Sequence, residues 1–427
     1  MTILKVFLIV CVCTLAHQKK LNKFDYSDIL SLQEVETTKR PVDILYTNFY
    51  HPFTDTDVFN KSTISRISIT SYNFVTIKDD TFLDFPALSV LNLDDNGIEY
   101  LPEDVFAKLP ALEYLGLNGN HLKTVNFTVS KAETLDLAKN QLGDLTNDIF
   151  NKVTGVTDLN LDDNAIKSIE SLVFQGLRRL EILSLKENKI ENLSPDLLKF
   201  SSKLQNLHLD GNMLKTVEED SFAHLHNLQI LSLSDNRITT VHQNSFKNLR
   251  KLNTLNLGGN KLSALHEDTF KNLDQLYALH LEGNDLEILP AVVFSNLGQL
   301  LNLQLNDNKL KDLPKGLFSG LKNCYNLDLS NNKLGVIQNG IFAELESLHR
   351  LKLVGNSLMK ISPGAFNGLG SVTVLTIPPL ADEDFERIRD LSNLKEVTIK
   401  GVNLEKKKVG NMSFKLRFYD VWDVVRV

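Results

Sequence analysis

Leu228-x-x-Leu231-x-Leu233-x-x-Asn236-x-Ile238-x-x-Val241, followed by Phe246 and Leu249, is one period of a frame that recurs along most of this 427-residue chain. Its asparagine returns as Asn96, Asn120, Asn140, Asn164, Asn188, Asn212, Asn236, Asn260, Asn284, Asn308, Asn332 and Asn356. Ten of the eleven intervals are 24 residues and one is 20. Self-similarity at such a period marks an array of stacked units rather than a set of separate globular domains. Leu231 and Leu233 stand two apart, which puts both on one face of a short strand, while residues 230, 232 and 234 face the other way.

Each period therefore adds one strand to a parallel sheet. A single turn exposes its leucines at both ends, so its apolar side chains are buried only when neighbours lie above and below. At roughly 1.5–3 kcal/mol per buried side chain, stacking must outweigh the ordering entropy of the turn. Asparagine supplies what leucine cannot, because its amide donates and accepts and so serves backbone groups stranded where the strand turns outward. Replacing one by leucine is expected to cost about 1–3 kcal/mol.

Over residues about 62 to 378 the frame resembles the leucine-rich repeat family in its typical 24-residue extracellular form, including Toll-like ectodomains and invertebrate immune and adhesion proteins. The resemblance implies an α/β fold: a right-handed solenoid curved as a horseshoe, with a concave parallel sheet and a convex side of loops, short helices or 3-10 turns. It divides the chain into residues 17–61 as an amino-terminal cap, 62–378 as the solenoid and 379–427 as a carboxyl-terminal cap. Many secreted members seal their ends with disulfide-bonded modules, but this sequence lacks the cysteines for them, so its caps are expected to be apolar.

The ends depart from the frame gradually. Ile64, Ile67 and Ile69 keep the register while Tyr72 takes the asparagine place; Val372, Leu375 and Ile377 keep it while Leu380 does so. Beyond, Asp382-Glu383-Asp384 before Arg387 and Arg389 has the charge order of a short helix. Leu394, Val397, Ile399 and Val402 suit one more strand. Met412, Phe414, Leu416 and Phe418 alternate with polar residues and predict an edge strand over the core, with Trp422 beneath. The one short turn, between Asn120 and Asn140, lacks the segment that brings Phe106, Phe150 and Phe174 into its neighbours.

Lys5, the apolar run Val6–Val12 and the small residues around Thr14-Leu15-Ala16 read as a secretory signal peptide over residues 1–16. The run is too short to span a bilayer, and no membrane insertion is expected. Four acceptors for N-glycans, Asn60, Asn126, Asn192 and Asn411, suit secretion, with Pro195 weakening the third. Two of the three cysteines, Cys11 and Cys13, lie in the signal segment. Cys324 falls on the first leucine position of its turn, as Leu228 and Leu252 do, and reads as a buried thiol. A monomer, or a weak non-covalent oligomer, follows.

Chemistry that would signal an enzyme is sparse. His242 and His266 occupy equivalent places in adjacent turns near Glu218, but no third ligand has zinc-like spacing, and they read as solvated flank residues, as do His224 and His226. His266-Glu267 lacks the second histidine of a zincin motif, and no phosphate loop or nucleophile elbow is present. No catalytic residue, metal or cofactor is expected. The formal charge of −7, which becomes −8 when Lys5 goes with the signal segment, argues against a nucleic-acid partner held by bulk charge. The run Glu405-Lys406-Lys407-Lys408 reads as a solvated loop rather than a glycan site.

Binding is best encoded where the fold leaves residues free, on the sheet's outward face. There Asp94, Tyr114, Asp136, Asp158 and Asp162 make an acidic stretch; Lys186, His208, Asp210, His280 and Glu282 a mixed one; Arg350 and Lys352 a basic end. The expected role is a secreted, non-catalytic scaffold that binds a protein or other extracellular macromolecule, with soluble immune recognition favoured. Matrix or adhesion protein, and enzyme inhibitor or stabilising carrier, are the alternatives.

Overall fold

The computed structural model describes residues 42–47, 61–72, 75–379, 388, 391, 393–400 and 415–419. The signal segment, Asn60, Asn411, Leu380, the charged residues 382–387 with Arg389, the run 405–408, Met412, Phe414 and Trp422 lie outside them. The described residues form two compact units. The first runs to Ile190 and includes Asp196–Leu204; the second comprises Glu191–Pro195 and the chain from Gln205 onward.

Each unit is a parallel-strand solenoid of stacked coils with a period of about 24 residues. In the first, the sheet strands are β1 Val42–Thr47, β2 Ile64–Thr70, β3 Val90–Asn92, β4 Tyr114–Gly116, β5 Thr134–Asp136, β6 Asp158–Asn160 and β7 Ile182–Ser184. The second contains β8 Asn206–His208, β9 Thr216–Val217, β10 Ile230–Ser232, β11 Thr240–Val241, β12 Thr254–Asn256, β13 Ala278–His280 and β14 Asn302–Gln304. It continues through β15 Asn326–Asp328, β16 Val336–Ile337, β17 Arg350–Lys352, β18 Lys360–Ile361, β19 Val374–Ile377, β20 Glu396–Lys400 and β21 Lys415–Tyr419. β9 with β11, and β16 with β18, form two small parallel ribbons on a second edge of the coil.

Register follows the leucines. Leu231 pairs with Leu207 on one side and Leu255 on the other, so from β8 to β17 each middle leucine of the sheet is buried beside another leucine. The limb opposite the sheet is a chain of tight turns closed by hydrogen bonds to the residue three earlier, as in Leu225 N to Phe222 O and Leu228 N to Leu225 O. Among the described residues there is one short 3-10 helix, Lys61–Thr63, and no α-helix. β21 pairs in parallel with β20, Val397 opposite Leu416 and Ile399 opposite Phe418.

Behind the leucines a column of phenylalanines stacks nearly face to face. Phe222, Phe246, Phe270 and Phe294 follow one another with ring centroids 6.2–6.4 Å apart and planes within 12°. Contrary to what the sequence frame implies, the short turn does carry a ring: Phe127, seven residues after Asn120 instead of the usual ten, is fully buried edge-on against Phe106 at 5.5 Å. Four residues fewer in the limb leave the core wall to be filled from a different offset, and the ring turns by 89° to do so.

The asparagine column is buried and bonded throughout. Asn236 Nδ2 donates to Leu233 O at 3.1 Å, Ser234 O at 3.1 Å and, one coil back, Leu209 O at 2.9 Å. Its Oδ1 accepts the N–H of Leu214 at 3.0 Å. Asn96 accepts the N–H of Tyr72 in the same way. The residue before each ladder asparagine is left-handed, whether glycine, as at Gly211 (φ 67) and Gly259 (φ 64), or Asp95, Lys139, Glu187 and Asp235 (φ 51 to 54). That bend turns the chain out of the strand and lets the next amide face inward.

Candidate binding face of the parallel sheets

The solvent-facing positions of the sheet are half-buried, flanking buried leucines in nearly every strand. In the first unit they bring the expected acids together. Asp94 accepts a hydrogen bond from Asn118 N at 2.8 Å, Asp136 from Ala138 N at 3.0 Å, and Asp162 from Lys186 N at 2.7 Å and Ser184 Oγ at 2.6 Å. Partial burial, with the nearby charge of Asp136 adding to it, pushes the Asp94 carboxyl up to about 6. Burial likewise raises Asp136, beside Asp162, and Asp158, beside Glu181. The phenol of Tyr114, half-buried near Asp94 and Asp136, is pushed up to about 12. Gly116 leaves room for this arrangement, since a Cβ there would stand 2.8 Å from Asp94 Oδ1 and 3.1 Å from the Tyr114 hydroxyl.

In the second unit, Asp210 accepts hydrogen bonds from Ser232 Oγ and from Ser234 Oγ at 2.6 Å, and lies 3.9 Å from His208 Nδ1. His280 and Glu282 repeat that pairing at 3.6 Å. The basic end is weaker than its sequence suggests. Lys352 Nζ lies 2.8 Å from Asp328, whose carboxylate is buried on the same face, so its charge is matched within the sheet and Arg350 is the exposed cation there.

Part of the face's polarity serves the fold. Asn92, Asp136, Asn160, Asn256 and Asp328, each the last residue of its strand, accept the N–H two residues on, which ties the strand to the outward bend. Asx-type bonding of this kind is what short polar side chains do at strand ends.

His242 and His266 accept hydrogen bonds at Nδ1 from Asn244 N and Asp268 N, which makes them turn residues. Cys324 is fully buried, its thiol donating to Asn326 O at 3.3 Å, and burial pushes it up to about 12. Asn126 and Asn192 are exposed. Among the described residues no group of three or more His, Cys, Asp and Glu is placed to hold a metal ion, and no helix is long and apolar enough to cross a membrane.

The model of the family described as leucine rich repeat matches residues 62–122, 130–190, 178–238, 226–286, 276–334 and 322–378. With most of the chain matched and the coil geometry in place, the chain belongs to the leucine-rich repeat family. No curated protein matches it. Among solved structures it is similar to TLR13 in a complex with ssRNA13, at 27% identity and a TM-score of 0.66; the match covers 81% of this chain, which spans about half (48%) of that one. A leucine-rich repeat protein of Leptospira interrogans (24% identity, TM-score 0.65, 80% of this chain and 91% of that one) and an internalin of Listeria monocytogenes (21%, 0.59, 75% and 89%) share the fold.

Proposed function

We propose that this chain is a secreted, non-catalytic binding scaffold whose acidic sheet face, centred on Asp94, Asp136, Asp158 and Asp162, receives a basic surface of an extracellular protein. The observation that carries the reading is electrostatic. Neighbouring coils hold these carboxylates half-buried, which raises the proton affinity of Asp94, Asp136 and Asp158, and nearby acids add to it, Asp136 at Asp94, Asp162 at Asp136 and Glu181 at Asp158; that arrangement costs the free protein stability and a cationic partner relieves it. Asp94, Asp136 and Asp162 are already engaged by backbone N–H groups and Asp158 by the side chain of Thr134, so the side chains are pre-positioned.

The similarity to TLR13 supports a macromolecular ligand, and the RNA in that structure belongs to that protein. Here the carboxylates oppose a phosphate backbone, which favours protein over nucleic acid. Soluble immune recognition is the role within this reading; inhibition of an enzyme, or adhesion in a matrix, would use the same face on other partners.

The test is capture from extracellular fluid on immobilised protein, alongside a variant with all four aspartates changed to asparagine. A partner held by the wild type, released by moderate salt and lost in the variant supports the proposal. Equal capture by both, with the same salt dependence, overturns it. The identity of the partner sorts the roles: a hydrolase points to inhibition, collagen to matrix, and a microbial surface protein or immune protease to recognition.

A further inference from the structure

Four asparagines of the described residues are followed directly by glycine: Asn96-Gly97, Asn118-Gly119, Asn339-Gly340 and Asn367-Gly368. In such a pair the backbone nitrogen of the glycine can attack the side-chain amide before it, because no Cβ hinders the approach. The fold restrains the first three. The amide of Asn96 is buried in the ladder, its Nδ2 donating to Ile69 O and Leu93 O at 2.8 Å and its Oδ1 accepting from Tyr72 N at 2.8 Å. Gly119 N donates to Ala138 O at 2.9 Å and Gly340 N to Gly364 O at 3.1 Å, each across to the next coil, so neither nitrogen is open to base.

Asn367-Gly368 has neither restraint. Both residues are exposed, and among the described residues nothing accepts the Gly368 N–H or bonds the Asn367 amide. The pair forms the middle of a tight turn closed by Leu369 N to Phe366 O at 3.2 Å. Packing requires the glycine: its φ is 92, and a Cβ there would stand 2.5 Å from Ala343 O in the coil before. In other coils the same place holds Asn248, Asn272 or Asn296, whose amides bond the preceding coil, or Gly320, which follows a serine. Among these coils the need for glycine coincides with a preceding asparagine at residue 368 alone.

We propose that Asn367 is a modification site at which the chain deamidates through its own backbone, without an enzyme. Hydroxide takes the proton of the Gly368 N–H, and the nitrogen adds to Cγ of Asn367. The Cγ–Nδ2 bond then breaks, Nδ2 takes up protons from water and leaves as ammonia, and a succinimide ring remains. Water opens that ring at either carbonyl. Opening at Cγ gives aspartate in the original backbone; opening at the main-chain carbonyl gives isoaspartate, with the chain running on through Cγ. In sum one water is consumed and one ammonia released. Either product adds a carboxylate, and the second lengthens the main chain by a methylene within the turn that seats the buried Phe366 and Leu369. The coil leading into β19 therefore ages ahead of the others.

The experiment is peptide mapping by mass spectrometry of the full-length protein held at pH 7.4 and 37 °C over several weeks, with synthetic peptides to separate aspartate from isoaspartate. Conversion at Asn367 is expected to run about tenfold or more faster than at Asn96, Asn118 or Asn339, the effect of one hydrogen bond that must break before attack. Raising the pH to 8.4 should quicken it several-fold, since hydroxide takes part. In concentrated guanidinium chloride the four sites should converge on similar rates, because the fold then restrains none of them. Asn367→Gln, whose longer side chain closes a larger ring far more slowly, should keep this turn unmodified. Native conversion no faster at Asn367 than at the other three, or a lead for Asn367 that persists in guanidinium chloride, would each overturn the proposal.

Discussion

The carboxylate of Asp94 reaches one coil onward to the N–H of Asn118, 2.8 Å away, and lies against Gly116 where any other residue would place a Cβ. The contact holds two strands in register while keeping a half-buried charge beside Asp136.

The sign of its pH dependence follows. An unfolded aspartate titrates near about 3.9, and folding raises Asp94 to about 6. The folded state therefore holds its proton more tightly: the stabilising contribution is complete below about pH 4 and is lost as pH rises through about 6. Asp94→Asn, whose amide oxygen still accepts the Asn118 N–H, is expected to stabilise the protein at pH 7.5 by about 1 kcal/mol, since water screens much of the effect. The gain should vanish near pH 4. Urea denaturation of both proteins at the two pH values measures it.

If the acidic face binds a basic partner, the same carboxyl gives binding the opposite trend. Protonation of Asp94 removes a charge the partner uses, so affinity should fall as pH drops through about 6, and less so in Asp94→Asn. Surface plasmon resonance between pH 5 and pH 8, on the partner captured as described, would show a flat profile if Asp94 takes no part.

The bend before each ladder asparagine sets a second pair of expectations. Gly259 has φ 64, and an added Cβ would abut Asp235 Oδ1. Gly259→Ala should destabilise by about 2 kcal/mol, combining left-handed strain with that clash. Lys139→Gly, at φ 53 in the same column, should be neutral or slightly stabilising. Thermal melts compare the two; a harmless Gly259→Ala would mean that the bend is not required there.

Asn236→Leu removes a side chain that serves three carbonyls and one N–H. A loss of about 3 kcal/mol is expected, at the upper end for an unsatisfied buried set. Hydrogen exchange should quicken at Leu214, whose N–H loses its acceptor, more than at Ile238, which is bonded to Asn260.

Cys324, buried and held up near 12, should resist alkylation at neutral pH until the protein unfolds globally, and the purified protein should run as a monomer without reductant. Cys324→Leu should cost less than about 1.5 kcal/mol, because the frame places leucine there in neighbouring coils. Rapid labelling of the native protein, or a reducible dimer, would contradict this.

The repeat was legible because each coil solves the same burial problem with the same residues, so Leu231, Leu233 and Asn236 announce strand, core and ladder together. Phe127 was not, because a shortened limb fills the same space from a shifted offset and the periodic signal points elsewhere. The face positions were legible as positions, yet their chemistry depends on partners one coil away: Lys352 looks like a free cation until the register sets it on Asp328. The left-handed column was hidden by its mixed composition, since Asp95, Lys139, Glu187 and Gly211 share a backbone shape that no side-chain pattern advertises.

Between coils the ladder amides reach in one direction. Besides carbonyls of its own coil, Asn260 bonds Leu233 O and Ile238 N, and Asn332 bonds Leu305 O and Leu310 N, in the coil made earlier. The stack therefore has a polarity that matches translation. Each coil leaves the ribosome with a carbonyl and an N–H still open, and its successor closes them as that successor's asparagine arrives. A nascent chain is thus finished everywhere except at its newest turn, and a stalled or truncated product would carry its defect at the carboxyl end of the array while the earlier coils stay locked.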